Sequence, residues 1–141
     1  MIAYFDTSAV IPLIVEEEGS AVCERLWQEA DRAVSVRLLY AEARAALAQA
    51  HRMGRLDPAQ LRAAVTELGI LAEDLDHVEV DADLVHAAGP LAEDHALRGY
   101  DAVHLAAALR LAADDLVLVT GDRDLARAGD AVGLNVALTS P

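Results

Sequence analysis

Five acidic residues carry most of the chemistry that this 141-residue chain can offer. Asp6 follows the apolar run Ile2-Ala3-Tyr4-Phe5, Glu42 sits in an Ala- and Leu-rich stretch, and Asp101 stands at the head of another. Asp122 and Asp124 fall in Thr120-Gly121-Asp122-Arg123-Asp124, directly after the β-prone run 116–120. Carboxylates gathered in one place repel, and some of them would hold protons near neutral pH. A divalent cation removes that conflict. Oxygen donors with neither paired histidines nor several cysteines suit Mg²⁺, with Mn²⁺ as a substitute, rather than zinc. Such a site polarises a phosphoryl oxygen, activates water and stabilises a leaving oxygen, which suggests phosphodiester or phosphoryl chemistry without deciding between them.

The elements that would bring these acids together are legible as an alternation. Residues 2–5 read as a strand, 33–36 as a second, 77–80 as a third, 116–120 as a fourth and 134–138 as a fifth. Between them, helices are expected from Ser8 as N-cap, from Ser20 as N-cap, over 37–53 with Gly54 beyond its end, and over 57–75 behind Asp57-Pro58. Further helices are expected over 82–96, with Gly89-Pro90 as a kink or break, over 101–113, and over 123–128. Strands alternating with helices imply crossover connections, hence an α/β three-layer sandwich around a mainly parallel five-stranded sheet in one domain, residues 1–141. In right-handed crossovers, strand C-termini and helix N-termini share one edge of the sheet, where open α/β folds bind ligands. Asp6, Asp101, Asp122 and Asp124 all map to that edge. Glu42 is expected about 7 Å inside its helix, on a stripe with Leu38, Leu39, Ala45 and Ala46 that faces the sheet.

Each acid also has a plainer reading. Asp6 could simply end a strand, Asp101 and Asp122 could cap helices, and Asp124 could complement a helix dipole. Glu42 and Asp101 resist that reading, because both share faces with core-type residues, and a carboxylate there is costly without a partner.

Composition narrows the field further. With 24 acidic against 11 basic residues the net charge is −13, and every basic residue is arginine. The absence of lysine removes P-loop phosphate binding and Schiff-base chemistry. It also removes the lysine that receiver-type phosphoacceptors and haloacid-dehalogenase-type phosphatases use, and Ser8 stands where the latter need a second aspartate. The acidity argues against sequence-blind binding to nucleic acid, so any such substrate would need a local arginine patch or a metal to offset its charge. The single cysteine, Cys23, excludes an internal disulfide, and no apolar run is long enough to span a membrane. With no basic stretch ahead of the first apolar residues, no secretory signal is expected, and a cytoplasmic location fits.

The order Asp6-Thr7-Ser8, Glu42, Tyr100-Asp101-Ala102-Val103-His104-Leu105-Ala106, then Thr120-Gly121-Asp122-Arg123-Asp124-Leu125 resembles the PIN-domain nucleases, and the length resembles the VapC-like toxins of toxin–antitoxin pairs. The resemblance implies a sheet of order 3-2-1-4-5, a homodimer, a cognate antitoxin, and a Mg²⁺- or Mn²⁺-dependent endoribonuclease leaving 5′-phosphate and 3′-hydroxyl ends. It assigns Asp6, Glu42, Asp101 and Asp122 as the catalytic and metal-holding acids, with Ser8 and Thr120 supporting the first and fourth, and Asp124 as an accessory acid. Arg98 and Arg123 flank the site as candidate phosphate contacts. His104, one helical turn after Asp101, reads either as a packed core histidine or as a proton shuttle. Trp27 and Tyr100 read as core or rim residues. The competing reading of the same chain is a catalytically silent module that only binds protein or RNA.

Overall fold

The first strand of the chain lies at the centre of the fold. In the computed structural model, which describes residues 1–140, β1 (Ile2–Phe5) is flanked by β2 (Arg32–Val36) and β4 (Leu116–Thr120), with β3 (Asp76–Val78) and β5 (Asn135–Leu138) at the edges. The order is β3-β2-β1-β4-β5 and every pairing is parallel, with Tyr4 opposite Val34 on one side and Leu118 on the other. The parallel sheet expected from the alternation, and the strand order that the resemblance implies, are therefore observed.

Strand alternation divides the core into two layers. Tyr4, Val34, Val36 and Leu118 face α5 (Ala82–His95), α6 (Gly99–Arg110) and α7 (Arg123–Ala131). Ala3, Phe5 and Val119 face α1 (Thr7–Ile14), α2 (Ser20–Glu29), α3 (Leu39–Arg52) and α4 (Pro58–Asp74). Phe5 meets Trp27 edge-on at 5.5 Å between ring centroids, which places Trp27 at the rim of this second layer. Gly129 lets α7 approach the sheet, since a Cβ there would lie 2.9 Å from Leu118 and 3.0 Å from Val136. Among the described residues no helix is long and apolar enough to cross a membrane.

Several helix ends differ from expectation. Asp6, not Ser8, is the N-cap of α1: its carbonyl accepts from the Ala9 and Val10 amides, while the Ser8 hydroxyl is drawn away to the acid site. Gly19 precedes α2, and Ser20 instead ties the loop together by donating to the Pro12 carbonyl. The helix carrying Asp101 begins two residues earlier, at Gly99, so Asp101 lies in its first turn rather than opening it. Helix α3 starts at Leu39, which puts Glu42 in the first turn, and the buried stripe is Leu39, Ala43 and Leu47, with Ala45 exposed. Pro90 does not break α5. It lies on the exposed side with His86, whose carbonyl it leaves without an amide donor, and water can satisfy that group there. The expected caps at Asp57, which forms a full capping box with Gln60, and at Asp122 are present.

Candidate active site

Parallel crossovers bring Asp6, Glu42, Asp101 and Asp122 to the C-terminal edge of the sheet, each from a different element. Asp6 follows β1, Glu42 lies in the first turn of α3, Asp101 in the first turn of α6, and Asp122 caps α7 just past β4. Their mutual influence shows the clustering. Asp6 feels the charges of His104 and Asp122, His104 those of Asp6, Glu42 and Asp101, and Arg98 those of Asp101, Asp122 and Glu42.

Asp6 is the innermost acid. Its Oδ1 accepts from the Ser8 hydroxyl at 2.7 Å, and that hydroxyl in turn accepts from the Gly121 amide at 2.8 Å and lies 3.3 Å from Thr120 Oγ1. Burial pushes the Asp6 carboxyl up from 3.8 to about 6, Asp122 adding to the rise while His104, Ser8 and Thr120 oppose it. Asp122 is held from both sides: Thr120 Oγ1 accepts from its backbone amide at 3.0 Å, and its own Oδ1 accepts from the Asp124 and Leu125 amides. The Ser8 and Thr120 hydroxyls, which the resemblance pairs with the first and fourth acids, thus hydrogen-bond the Asp6 carboxylate and the Asp122 backbone amide.

Two basic side chains of the chain itself engage the acids. Arg98 bridges Asp101, at 2.8 Å from Nε, and Asp122, at 3.5 Å from Nη2. His104 is fully buried in α6, and its Nε2 lies 2.7 Å from Glu42 Oε1. Burial pulls the imidazole pKa down, but the hydrogen bond to Glu42 and the charges of Asp6, Glu42 and Asp101 outweigh it, so the net direction is up. Among the described residues no three acidic, histidine or cysteine side chains already converge as a metal-holding group. The donor set is nevertheless all carboxylate oxygen, and its most buried member ionises reluctantly, which is the chemistry that Mg²⁺ or Mn²⁺ relieves.

Not every candidate joins the cluster. The Asp124 carboxylate turns to Arg127 on its own helix, at 2.8 Å. Arg123 is exposed and takes part in no ion pair among the described residues, whereas Arg98 is occupied by acids. Tyr100 is 64% exposed beside Asp101, at the rim rather than in the core. Sequence reasoning missed Tyr4 and Thr7 as members of the site. Their signal was weak: one lies in a strand where an aromatic is ordinary, and the other is adjacent to Asp6.

A PIN domain family profile matches residues 3–131. The chain belongs to the PIN domain family. Ribonuclease VapC45 of Mycobacterium tuberculosis is 42% identical to it over 136 residues, which is 96% of this chain and 94% of the relative. Among solved structures, the sarcin–ricin-loop-cleaving toxin VapC20 of M. tuberculosis superposes with a TM-score of 0.70 at 20% identity, covering 99% of each chain. VapBC-5 of the same organism, a member of the VapBC family of toxin–antitoxin systems, gives 0.63 at 20% identity over 99% of this chain and 98% of that one. These two likenesses speak for the fold, and the 42% relative makes this a VapC-like PIN protein.

Proposed function

We propose that this protein is a Mg²⁺- or Mn²⁺-dependent endoribonuclease acting as the toxin of a toxin–antitoxin pair. One observation carries the reading: four carboxylates from four separate elements share the C-terminal edge of a PIN fold, with the most buried pushed toward neutral pKa. Asp6, Glu42, Asp101 and Asp122 would hold the metal. A divalent cation there supplies polarisation of the scissile phosphate and a more acidic attacking water. Ser8 and Thr120 keep Asp6 and Asp122 aimed at the site. Arg123, exposed and free of carboxylate partners among the described residues, is suited to grip a flanking phosphate, and Arg98 can exchange its acids for one. With no lysine in the chain, this local arginine pair and the metal would do the work that a basic surface does elsewhere.

The partners belong to the same reading. An antitoxin presenting arginine to the acid edge would neutralise it and silence the enzyme. A homodimer would cover apolar surface such as Tyr40, 40% exposed on α3, and Ile70, 61% exposed on α4. Cys23 is buried and unpaired, in keeping with a cytoplasmic protein.

The alternative, a catalytically silent binding module, draws on the absence of a ready metal trio among the described residues. A cleavage assay on structured RNA separates the two. Cleavage is expected with Mg²⁺ or Mn²⁺, and loss of it is expected with chelator and in Asp6→Asn or Glu42→Gln. No cleavage with either metal sinks the enzyme reading, metal-independent cutting sinks its metal dependence, and Asp6→Asn cutting at the wild-type rate sinks the site assignment.

A further inference from the structure

A line of three polar side chains runs from the core to the acid edge. Tyr4, fully buried in β1, places its hydroxyl 2.9 Å from His104 Nδ1, and His104 Nε2 lies 2.7 Å from Glu42 Oε1. The Tyr4 and His104 rings meet edge-on, 5.9 Å between centroids at 82°, so the imidazole plane is fixed by packing as well as by hydrogen bonds. Thr7 Oγ1 donates to the same Glu42 oxygen at 3.0 Å. Both donors therefore fall on Oε1, and no hydrogen bond among the described residues involves Oε2.

We propose that His104, locked from behind by Tyr4, is a positioning residue that tethers one oxygen of Glu42 and leaves the other presented to the cation of the acidic site. The inference rests on the metal-dependent reading above and adds to it the group that orients one of the acids. A glutamate on a helix surface has three free torsions, and a ligand with that freedom loses entropy each time it binds. Two donors on a single oxygen remove that freedom in advance. The protonation state of His104 does not alter the tether. In the neutral ring Tyr4 donates to Nδ1 and Nε2–H donates to Glu42; in the charged ring only the Tyr4 bond reverses. A core histidine that served packing alone would have no need of a carboxylate partner at the site.

The test is calorimetric titration of metal-free protein with Mn²⁺, alongside thermal melts that establish folding. Wild type is measured first, because no Mn²⁺ binding there overturns the metal reading itself and this inference with it. Given wild-type binding, His104→Leu, apolar and of similar size, should weaken Mn²⁺ affinity by about tenfold or more, as loss of partners behind metal ligands does elsewhere. His104→Gln, which keeps an amide N–H of similar reach, should restore affinity to within about threefold of wild type. A folded His104→Leu that binds Mn²⁺ as tightly as wild type refutes the proposal. Should His104→Leu fail to fold, Tyr4→Phe decides, since it removes one hydroxyl and keeps the ring: weaker Mn²⁺ binding supports the tether and unchanged binding refutes it.

Discussion

Asp6 is kept almost out of water, 3% exposed, and should therefore be a site where function costs stability. The folded state holds this proton more tightly than the unfolded chain does. Stability should consequently fall as pH rises from about 4 to about 6, and the full cost of ionisation persists above that window. A carboxyl raised from 3.8 to about 6 corresponds to a cost of about 3 kcal/mol once it is charged. Asparagine has the same shape, never ionises, and keeps the oxygen that accepts from Ser8. Asp6→Asn should therefore raise the unfolding free energy by about 3 kcal/mol at about pH 8, and by roughly half of that at about pH 5. For a chain of this size the gain at pH 8 amounts to a rise in Tm of about 10 °C. Urea unfolding in chelator at the two pH values measures it. Millimolar Mn²⁺ should return part of this stability to the wild type and none to Asp6→Asn. An Asn variant no more stable than wild type at pH 8, or one whose gain is the same at about pH 4 and pH 8, would refute the argument that burial sets the Asp6 proton affinity.

Arg98 occupies two of the acids that a metal would need. Arg98→Ala should tighten Mn²⁺ binding by about three- to tenfold in titration calorimetry, because a competing cation is gone; unchanged or weaker binding would contradict the competition. Gly129→Ala should destabilise by about 1–3 kcal/mol in urea, because the added methyl meets Leu118 and Val136 inside van der Waals contact. A neutral result there would mean that α7 shifts freely on the sheet.

The alternation of apolar strands and Ala-rich helices was enough to read the layers, because the change from one period to the other is local to each stretch, and α4, α5 and α7 begin at aspartate caps. The four acids were legible for a related reason. In a parallel sheet, position relative to a strand's end already assigns an edge, so Asp6 and Asp122 could be placed without coordinates. Helix starts were less legible. Ser8 and Asp101 both have the chemistry of a cap, yet Ser8 is claimed by Asp6 and Gly121, and Asp101 by Arg98. A local propensity cannot register a partner that comes from elsewhere in the chain. The same limit hid the pairing of Tyr4 with His104, which lie 100 residues apart. Arg98 was visible as a flanking cation, but its double contact with Asp101 and Asp122 depended on the packing of α6 against α7.

The central place of β1 has a consequence for synthesis. Its pairing with β4, and the contact of Ser8 with Thr120 across 112 residues, require the late part of the polypeptide to be present. During translation β1 waits for β4, and Asp122 joins the other acids only after the segment that follows β4 has emerged from the exit tunnel. Any fragment that stops short of β4 therefore lacks both a neighbour of its central strand and the fourth acid of the edge, so the acidic cluster is a property of the folded whole and of no part of it.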